Sequence, residues 1–578
     1  MLLLLLACDP VSKPSDLSSE STPNESGPAR ETELTDDSPA ESEAHSEDSP
    51  HSEDPADTGP IFDDAVAILH ITLGTYDNEN AGTDERVTVC LNDDYCFVMD
   101  NADWNDNEQA AIDVFSAEGL SLSRAEVQSV TLLINDGEDR WQPECVAVSL
   151  DGEPVHCHDG LTVLMGDQAG EELEWTDPAG LSVDCLGCFE DPLTHGPIVG
   201  ATGADFTHIW LRTDATRRVQ LRLATSAAGL STATPAATAW PLAEDDFTLT
   251  TRLDGLSPNT TYVYDVEIEG ERYGPWSFTT AAAEGASGKL RFGFGSCTKT
   301  DDQPIFDVIS RYAPDLFLFV GDNHYGNTES IGGHRQHYRH AHSRPERAEL
   351  MRSTPTLATW DDHDFTGNNT EGDAPGKDVA LRAFAEHWGN GAYGEASVPG
   401  VFSAHTVGDV LFVLLDDRYW RGVDGSFLGA DQSAWLIDTL VASDATFKFV
   451  VSGSQMTSEG TGDSWGSYPD SQAWLMEQVA AIEGVVFLSG DIHRSELRAV
   501  AAAPGGYDVP ELTSSPLAND TSTCKTSDEL VFCYDDGPSF VMVEVDSARA
   551  DPTLDVSVLD GDGALVGSWS IKRSELTP

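Results

Sequence analysis

The sequence predicts a multidomain protein in which two N-terminal β-sandwiches precede an α/β domain. Three observations lead to this class. Short alternating apolar and polar runs, broken by Asn, Asp and Gly, fill residues from about 62 to 283. Five continuous apolar runs, several separated by amphipathic stretches, recur after Lys289. The 578 residues also exceed what one hydrophobic core ordinarily serves.

Taken in order, Leu2–Ala7 is an apolar segment, and Leu5-Leu6-Ala7-Cys8 resembles the end of a bacterial lipoprotein signal with Cys8 as the lipidated residue. Residues 9–61 are mostly Ser, Pro, Glu and Asp, with almost nothing to bury. Self-repulsion predicts a disordered acidic linker there. Runs such as Ala65–Leu73 and Val127–Leu132 predict a sandwich over residues 62–193. Gly74-Thr75-Tyr76, Ala81-Gly82-Thr83-Asp84 and Val87-Thr88-Val89 resemble the opening of a lipoxygenase-homology (PLAT-type) sandwich, which implies either a binding module with a surface ligand or a structural spacer. Ile209–Thr213, Val219–Leu223 and Tyr262–Val266 predict a second all-β unit over 194–283, and Leu253–Tyr262 resembles a fibronectin type III turn and strand.

After the small-residue linker Ala281–Gly288, the runs Leu290–Phe294, Leu316–Val320, Val410–Leu415, Phe447–Val451 and Val485–Leu488 predict buried strands. Apolar spacing in Pro304–Tyr312 and Asp431–Val441 predicts helices between them. Strands alternating with helices imply a central sheet covered on both faces.

The formal net charge is −69, from 100 acidic against 31 basic residues. Such a surface repels nucleic acid and anionic lipid and attracts divalent cations. Cys90/Cys96, Cys145/Cys157, Cys185/Cys188 and Cys524/Cys533 fall into short-range pairs, which predicts disulfides and an oxidising compartment without fixing their connectivity. Reduced thiols, or half a zinc ribbon at Cys185-Leu186-Gly187-Cys188, are the alternatives. Cys297 stands apart, as a metal ligand or as an inert or disulfide-bonded thiol.

Chemistry-bearing residues gather at the predicted strand ends: Gly295-Ser296-Cys297, Gly321-Asp322-Asn323-His324-Tyr325, Asp361-Asp362-His363-Asp364, Asp416-Asp417-Arg418 and Gly490-Asp491-Ile492-His493. Ligands bind beyond strand carboxyl ends in α/β sheets. Clustered aspartates without lysines repel one another unless cations sit among them.

In this order, Gly321-Asp322-x-x-Tyr325, Asp361-Asp362-His363-Asp364 and Gly490-Asp491-x-His493 resemble the PhoD-like alkaline phosphatase/phosphodiesterase family of calcineurin-like metallophosphoesterases. The resemblance implies a four-layer α/β catalytic domain over 289–575 and hydrolysis of small-molecule phosphate mono- or diesters by a metal-bound hydroxide. It further implies ferric iron on Cys297, Asp322, Tyr325 and His493. A second ion, calcium by its oxygen-only ligands, would lie on Asp322, Asp362 and Asp491. His363 would be the catalytic residue that stabilises or protonates the leaving oxygen, and Arg418 either contacts phosphate or pairs with a neighbouring Asp. The segment between Asn323 and Arg352, rich in His and Arg, either steers anionic substrate or forms a solvated helix face. An exported protein, as an envelope lipoprotein or an extracellular enzyme, fits these features. The rival reading is a non-catalytic surface adhesion protein that works through its first sandwich.

Overall fold

A computed structural model of the chain describes residues 67–75, 87–92, 94–99, 112–120, 122–134, 141–161, 165, 171–176, 181–182, 188, 191–457, 463–501 and 503–578. The signal-like segment and the acidic linker lie outside them. No helix among the described residues is long and apolar enough to cross a membrane.

The first β unit has two four-stranded sheets. One is ordered Ile112–Leu120, Ala67–Thr75, Pro143–Leu150, Glu153–His158; the other Tyr95–Val98, Val87–Leu91, Ser129–Ile134, Glu171–Thr176. Leu69, Ile71 and Leu73 from one sheet pack with Val89, Val130 and Leu132 from the other. Alternation in Ala67–Thr75 predicts a wet outer face, yet His70 and Thr72 are buried as well. The outer face is covered by the second β unit, where the His70 ring lies 4.7 Å from Phe247. The disulfides include Cys90–Cys96, Cys524–Cys533 and Cys145–Cys188, so Cys145 reaches across 43 residues rather than to its sequence neighbour Cys157. Cys157 is itself disulfide-bonded. Pairing follows the proximity of strands and loops in space, which sequence spacing does not carry.

The second β unit sets a three-stranded sheet (Thr248–Asp254, Phe206–Thr213, Leu193–Thr202) and a four-stranded sheet (Ala237–Ala239, Val219–Ala224, Thr261–Ile268, Glu271–Thr279) around Val199, Ile209, Leu221, Tyr264 and Phe278.

The remaining chain builds two mixed sheets, not the single central sheet expected. Six strands run in the order Thr356–Thr359, Leu316–Val320, Lys289–Gly295, Ser539–Asp546, Thr553–Asp560, Leu565–Lys572, and the first three are parallel. Seven run Ser403–Val407, Val410–Leu414, Phe447–Val451, Val485–Ser489, Val509–Thr513, Ser495–Val500, Leu530–Tyr534, with parallel pairing from Val410–Leu414 through Val509–Thr513. The two sheets share one core: Phe292 meets Phe412 and Phe449 edge-on at 5.1 and 4.8 Å. On the far face of the six-stranded sheet, Phe306 of helix Ile305–Tyr312 packs on Phe317 and Phe319. Helices Ala430–Ala442 and Pro469–Val479 bury Leu436, Leu440 and Leu475 in the shared core. Apolar runs alone cannot reveal how many sheets they form, because a strand buried on both faces reads the same in one sheet or two.

The His- and Arg-rich segment holds helices Ile331–His342 and Pro345–Ser353, and most of its His and Arg side chains are buried rather than solvated. His334, Arg335, Tyr338, Arg339 and His342 are buried where the three units meet. Arg339 donates to Asp246 of the second unit (2.7 Å) and to Val114 O of the first (3.2 Å). Arg335 pairs with Glu386, and Gln336 Nε2 reaches Ile112 O (3.3 Å). Polarity in this segment serves charge pairing inside a junction, where each buried cation needs a partner.

Candidate metal centre

The parallel strands of both sheets end on the same side, and their loops meet through glycines that leave no room for a Cβ. One added to Gly490 would stand 2.6 Å from Ser296 Cβ and Val320 O, and one on Gly453 would stand 2.6 Å from Trp360 O. Gly490 N–H donates to Gly453 O (2.9 Å), which ties the two loops together. Into this junction project the residues expected from sequence.

Asp322, 1% exposed, is the hub. Its Oδ2 accepts from Tyr325 Oη (3.0 Å) and from Cys297 Sγ (3.4 Å). Tyr325 Oη lies 3.2 Å from His493 Nε2. Thiol, phenol, imidazole and carboxylate therefore converge from three separate loops. Cys297, Asp322, Asp491 and His493 all have left-handed backbone (φ 63, 52, 65 and 54°), a conformation that non-glycine residues hold only when their surroundings impose it.

A second group lies alongside. Ligand atoms of Asp322, Asp362 and His363 lie within 4.8 Å of one another. Asp491, expected with Asp322 and Asp362, lies in a third group with Asp361 and Asp463. Asp362 is held by backbone N–H groups of His363 (2.8 Å) and Asn369 (2.6 Å). Asp364 accepts from the backbone of Asn323 (2.8 Å) and Asp361 (3.1 Å), a structural task.

These groups suit cations by their chemistry. Burial, then Asp362 and Asp361, pushes the Asp322 carboxyl well above the carboxylate range. Burial and Asp322 push up the Cys297 thiol and the Tyr325 phenol, and burial with Asp362 raises Asp491 to about 7. Left alone, such donors keep their protons; a multivalent ion among them reverses that preference.

Of the two roles expected for Arg418, pairing with neighbouring aspartates is the one it takes. It is fully buried, and its guanidinium is committed to Asp361, Asp463, Ser454 Oγ (3.0 Å) and Thr370 O (3.2 Å). It braces the acidic loops and has no donor to spare for phosphate. Two asparagines escaped the sequence reading. Asn519 Nδ2 donates to Tyr325 Oη (2.9 Å) and His493 Nε2 (3.2 Å), and His363 Nδ1 donates to Asn327 Oδ1 (2.5 Å). Neither stands in a chemical pattern; only the Ser-Ser-Pro stretch before Asn519, after an apolar strand, marks a turn beside a strand end.

Comparison with known proteins now decides the domain. Residues 292–541 match the family model described as PhoD-like phosphatase. This region is a PhoD-like phosphatase domain. Residues 190–283 match a domain of unknown function, DUF7800. No curated protein matches the chain. Among solved structures, one titled "Structure of PhoD" aligns with TM-score 0.56 and 18% identity, covering 66% of this chain and 94% of that one. Purple acid phosphatase PPD1 from yellow lupin (Lupinus luteus) seeds aligns with TM-score 0.53 and 11% identity, covering 88% and 91%. At these identities the alignments establish a shared fold. The chain is thus a phosphoesterase, with candidate metal-binding groups at the strand ends of its phosphatase domain.

Behind the site, Glu511 yields a pH prediction. It is fully buried, accepts from Met456 N–H (2.6 Å) and Ser489 Oγ (2.9 Å), and leaves Oε2 without a partner. Burial raises its pKa from 4.5 to about 7. Between those values the unfolded chain has lost the proton that the folded chain keeps, so stability falls as pH rises through the window, by about 3 kcal/mol. Glu511→Gln, which keeps the Oε1 acceptor, is expected to flatten this part of the melting-temperature profile between pH 5 and 7. An unchanged profile would count against the raised pKa.

Proposed function

We propose that this chain is an exported, metal-dependent hydrolase of small-molecule phosphate mono- or diesters, with a four-layer α/β catalytic domain over 289–575. The observation that carries the reading is the convergence of Cys297, Tyr325 and His493 on Asp322, from three loops and largely on left-handed backbone. Thiolate, phenolate and imidazole with a carboxylate suit iron, ferric by its ability to keep the phenol ionised. The carboxylates of Asp322 and Asp362, with Asp491 drawn in, suit calcium.

When bound, such ions would neutralise phosphoryl charge and lower the pKa of a water for in-line attack. The chain's own residues do the rest. Asp322 belongs to both groups and so sets the spacing between them. Asn519 donates to the Tyr325 oxygen and fixes its ring. His363, its ring tilted against that of Tyr325 with centroids 4.1 Å apart, uses Nδ1 to hold Asn327, which leaves Nε2 to hold or move the proton of the leaving oxygen. The disulfides fit an oxidising compartment.

The test pairs metal analysis of the purified chain with hydrolysis of an aryl phosphate monoester and an aryl diester. The expected result is iron near one equivalent per chain, with turnover that chelation removes and re-addition of iron and calcium restores. A chain that binds no metal and turns over neither ester would sink the proposal.

A further inference from the structure

With Arg418 committed to carboxylates, the phosphoesterase reading needs another side-chain cation to receive its anionic substrate. The chain supplies one that no motif announces. Lys299 lies two residues after Cys297, and its backbone is fixed at the strand ends: its N–H donates to Ala518 O (2.8 Å), while Thr298 bridges to Ala518. The side chain is exposed, and its ammonium stands over the Tyr325 ring, 5.7 Å from the centroid. Among the described residues, no carboxylate pairs with it.

The surroundings sharpen the point. Only seven lysines occur in a chain of net charge −69. Arg347, Arg418 and Arg421 beside the site are all buried. The Tyr325 face can hold the ammonium beside the site without neutralising it, as a carboxylate partner would.

We propose that Lys299 is the anion anchor of this site. Its ammonium receives a non-bridging phosphoryl oxygen as the ester enters past Tyr325. Lysine binds phosphate as a point charge and tolerates varied approach, which suits an exposed rim better than a buried bidentate clamp.

The inference rests on the phosphoesterase reading, and its test separates the two. Kinetics with p-nitrophenyl phosphate and calorimetric titration with inorganic phosphate are run on the metal-loaded full chain, as wild type, Lys299→Met and Lys299→Arg. The Met variant is expected to raise KM and the phosphate Kd about tenfold, with the loss falling on KM rather than kcat. The fall of kcat/KM with added salt should become shallower. The Arg variant should recover most of the loss. Unchanged KM and phosphate Kd in Lys299→Met would overturn the anchor, as would a loss that appears equally in kcat or that Arg fails to restore. A weakened ester KM with unaltered phosphate Kd would also overturn it, since the contact would then lie outside the phosphoryl group. If the wild type binds phosphate but hydrolyses no ester, the phosphoesterase reading fails while the titration still decides Lys299. A wild type that binds no phosphate overturns the anchor.

Discussion

Asp322→Asn is expected to lower kcat/KM by on the order of 1,000-fold or more, equivalent to about 4 kcal/mol of transition-state stabilisation. Asp322 accepts from both Cys297 and Tyr325 and also belongs to the group formed with Asp362 and His363. One substitution therefore strikes both candidate ion sites. An amide presents one neutral oxygen where two charged ones stood, so iron content should fall from near stoichiometric to trace. The backbone supplies a control. Asp322 has φ 52°, and Asn occupies the left-handed region as readily as Asp does. In the metal-free state the substitution removes an acid crowded by Asp361, Asp362, Asp364 and Asp491, so the metal-free variant should unfold no earlier than the metal-free wild type. Elemental analysis, aryl phosphate hydrolysis and thermal melts with and without metal check the three parts. A variant that keeps its iron and its turnover would remove Asp322 from the centre of the mechanism.

Asp246→Asn is expected to lower unfolding free energy by about 3–5 kcal/mol, the usual consequence of removing one partner from a buried ionic cluster. Asp246 is fully buried and joins Arg212 (3.1 Å) to Arg339 (2.7 Å), with His387 Nε2 at 3.5 Å. Its loss leaves two guanidinium groups facing an uncharged amide at the junction of three units. Burial alone would raise the Asp246 pKa, but Arg212, Arg339 and His387 hold it well below the ordinary carboxylate value. Its contribution is therefore complete above about pH 4 and is lost only in stronger acid, as pH falls through the depressed folded pKa. Denaturant titration at pH 7 measures the effect. The double variant Asp246→Asn/Arg339→Met should be less destabilised than the sum of the singles, because it removes a stranded charge together with its partner. Simple additivity would mean the pair does not act as a unit.

The phosphatase domain was legible in sequence because its strands are buried on both faces and end in unusual residue combinations. A run such as Leu316–Val320 followed by Gly321-Asp322 carries its burial, its turn and its ligand within a few positions. The four donors Cys297, Asp322, Tyr325 and His493 are quoted by the motifs themselves, and the fold brings them to one point. Asn327 and Asn519 were not legible, since an asparagine in a loop is the commonest of turn residues and its partner lies far along the chain.

What the sequence determined by itself is local: which segments are strands or helices, which loops carry acids, and how the chemistry is ordered along the chain. Tertiary structure alone decided the non-local matters. It divided the apolar runs between two sheets, joined Cys145 to Cys188, and turned a His- and Arg-rich stretch from a supposed surface into a buried clamp on Asp246. It also committed Arg418 to Asp361 and Asp463 while leaving Lys299 exposed over the Tyr325 ring. The reason is physical. Periodicity reports the burial of a residue's own face, whereas a charge's role depends on which opposite charge the fold places within a few ångströms of it.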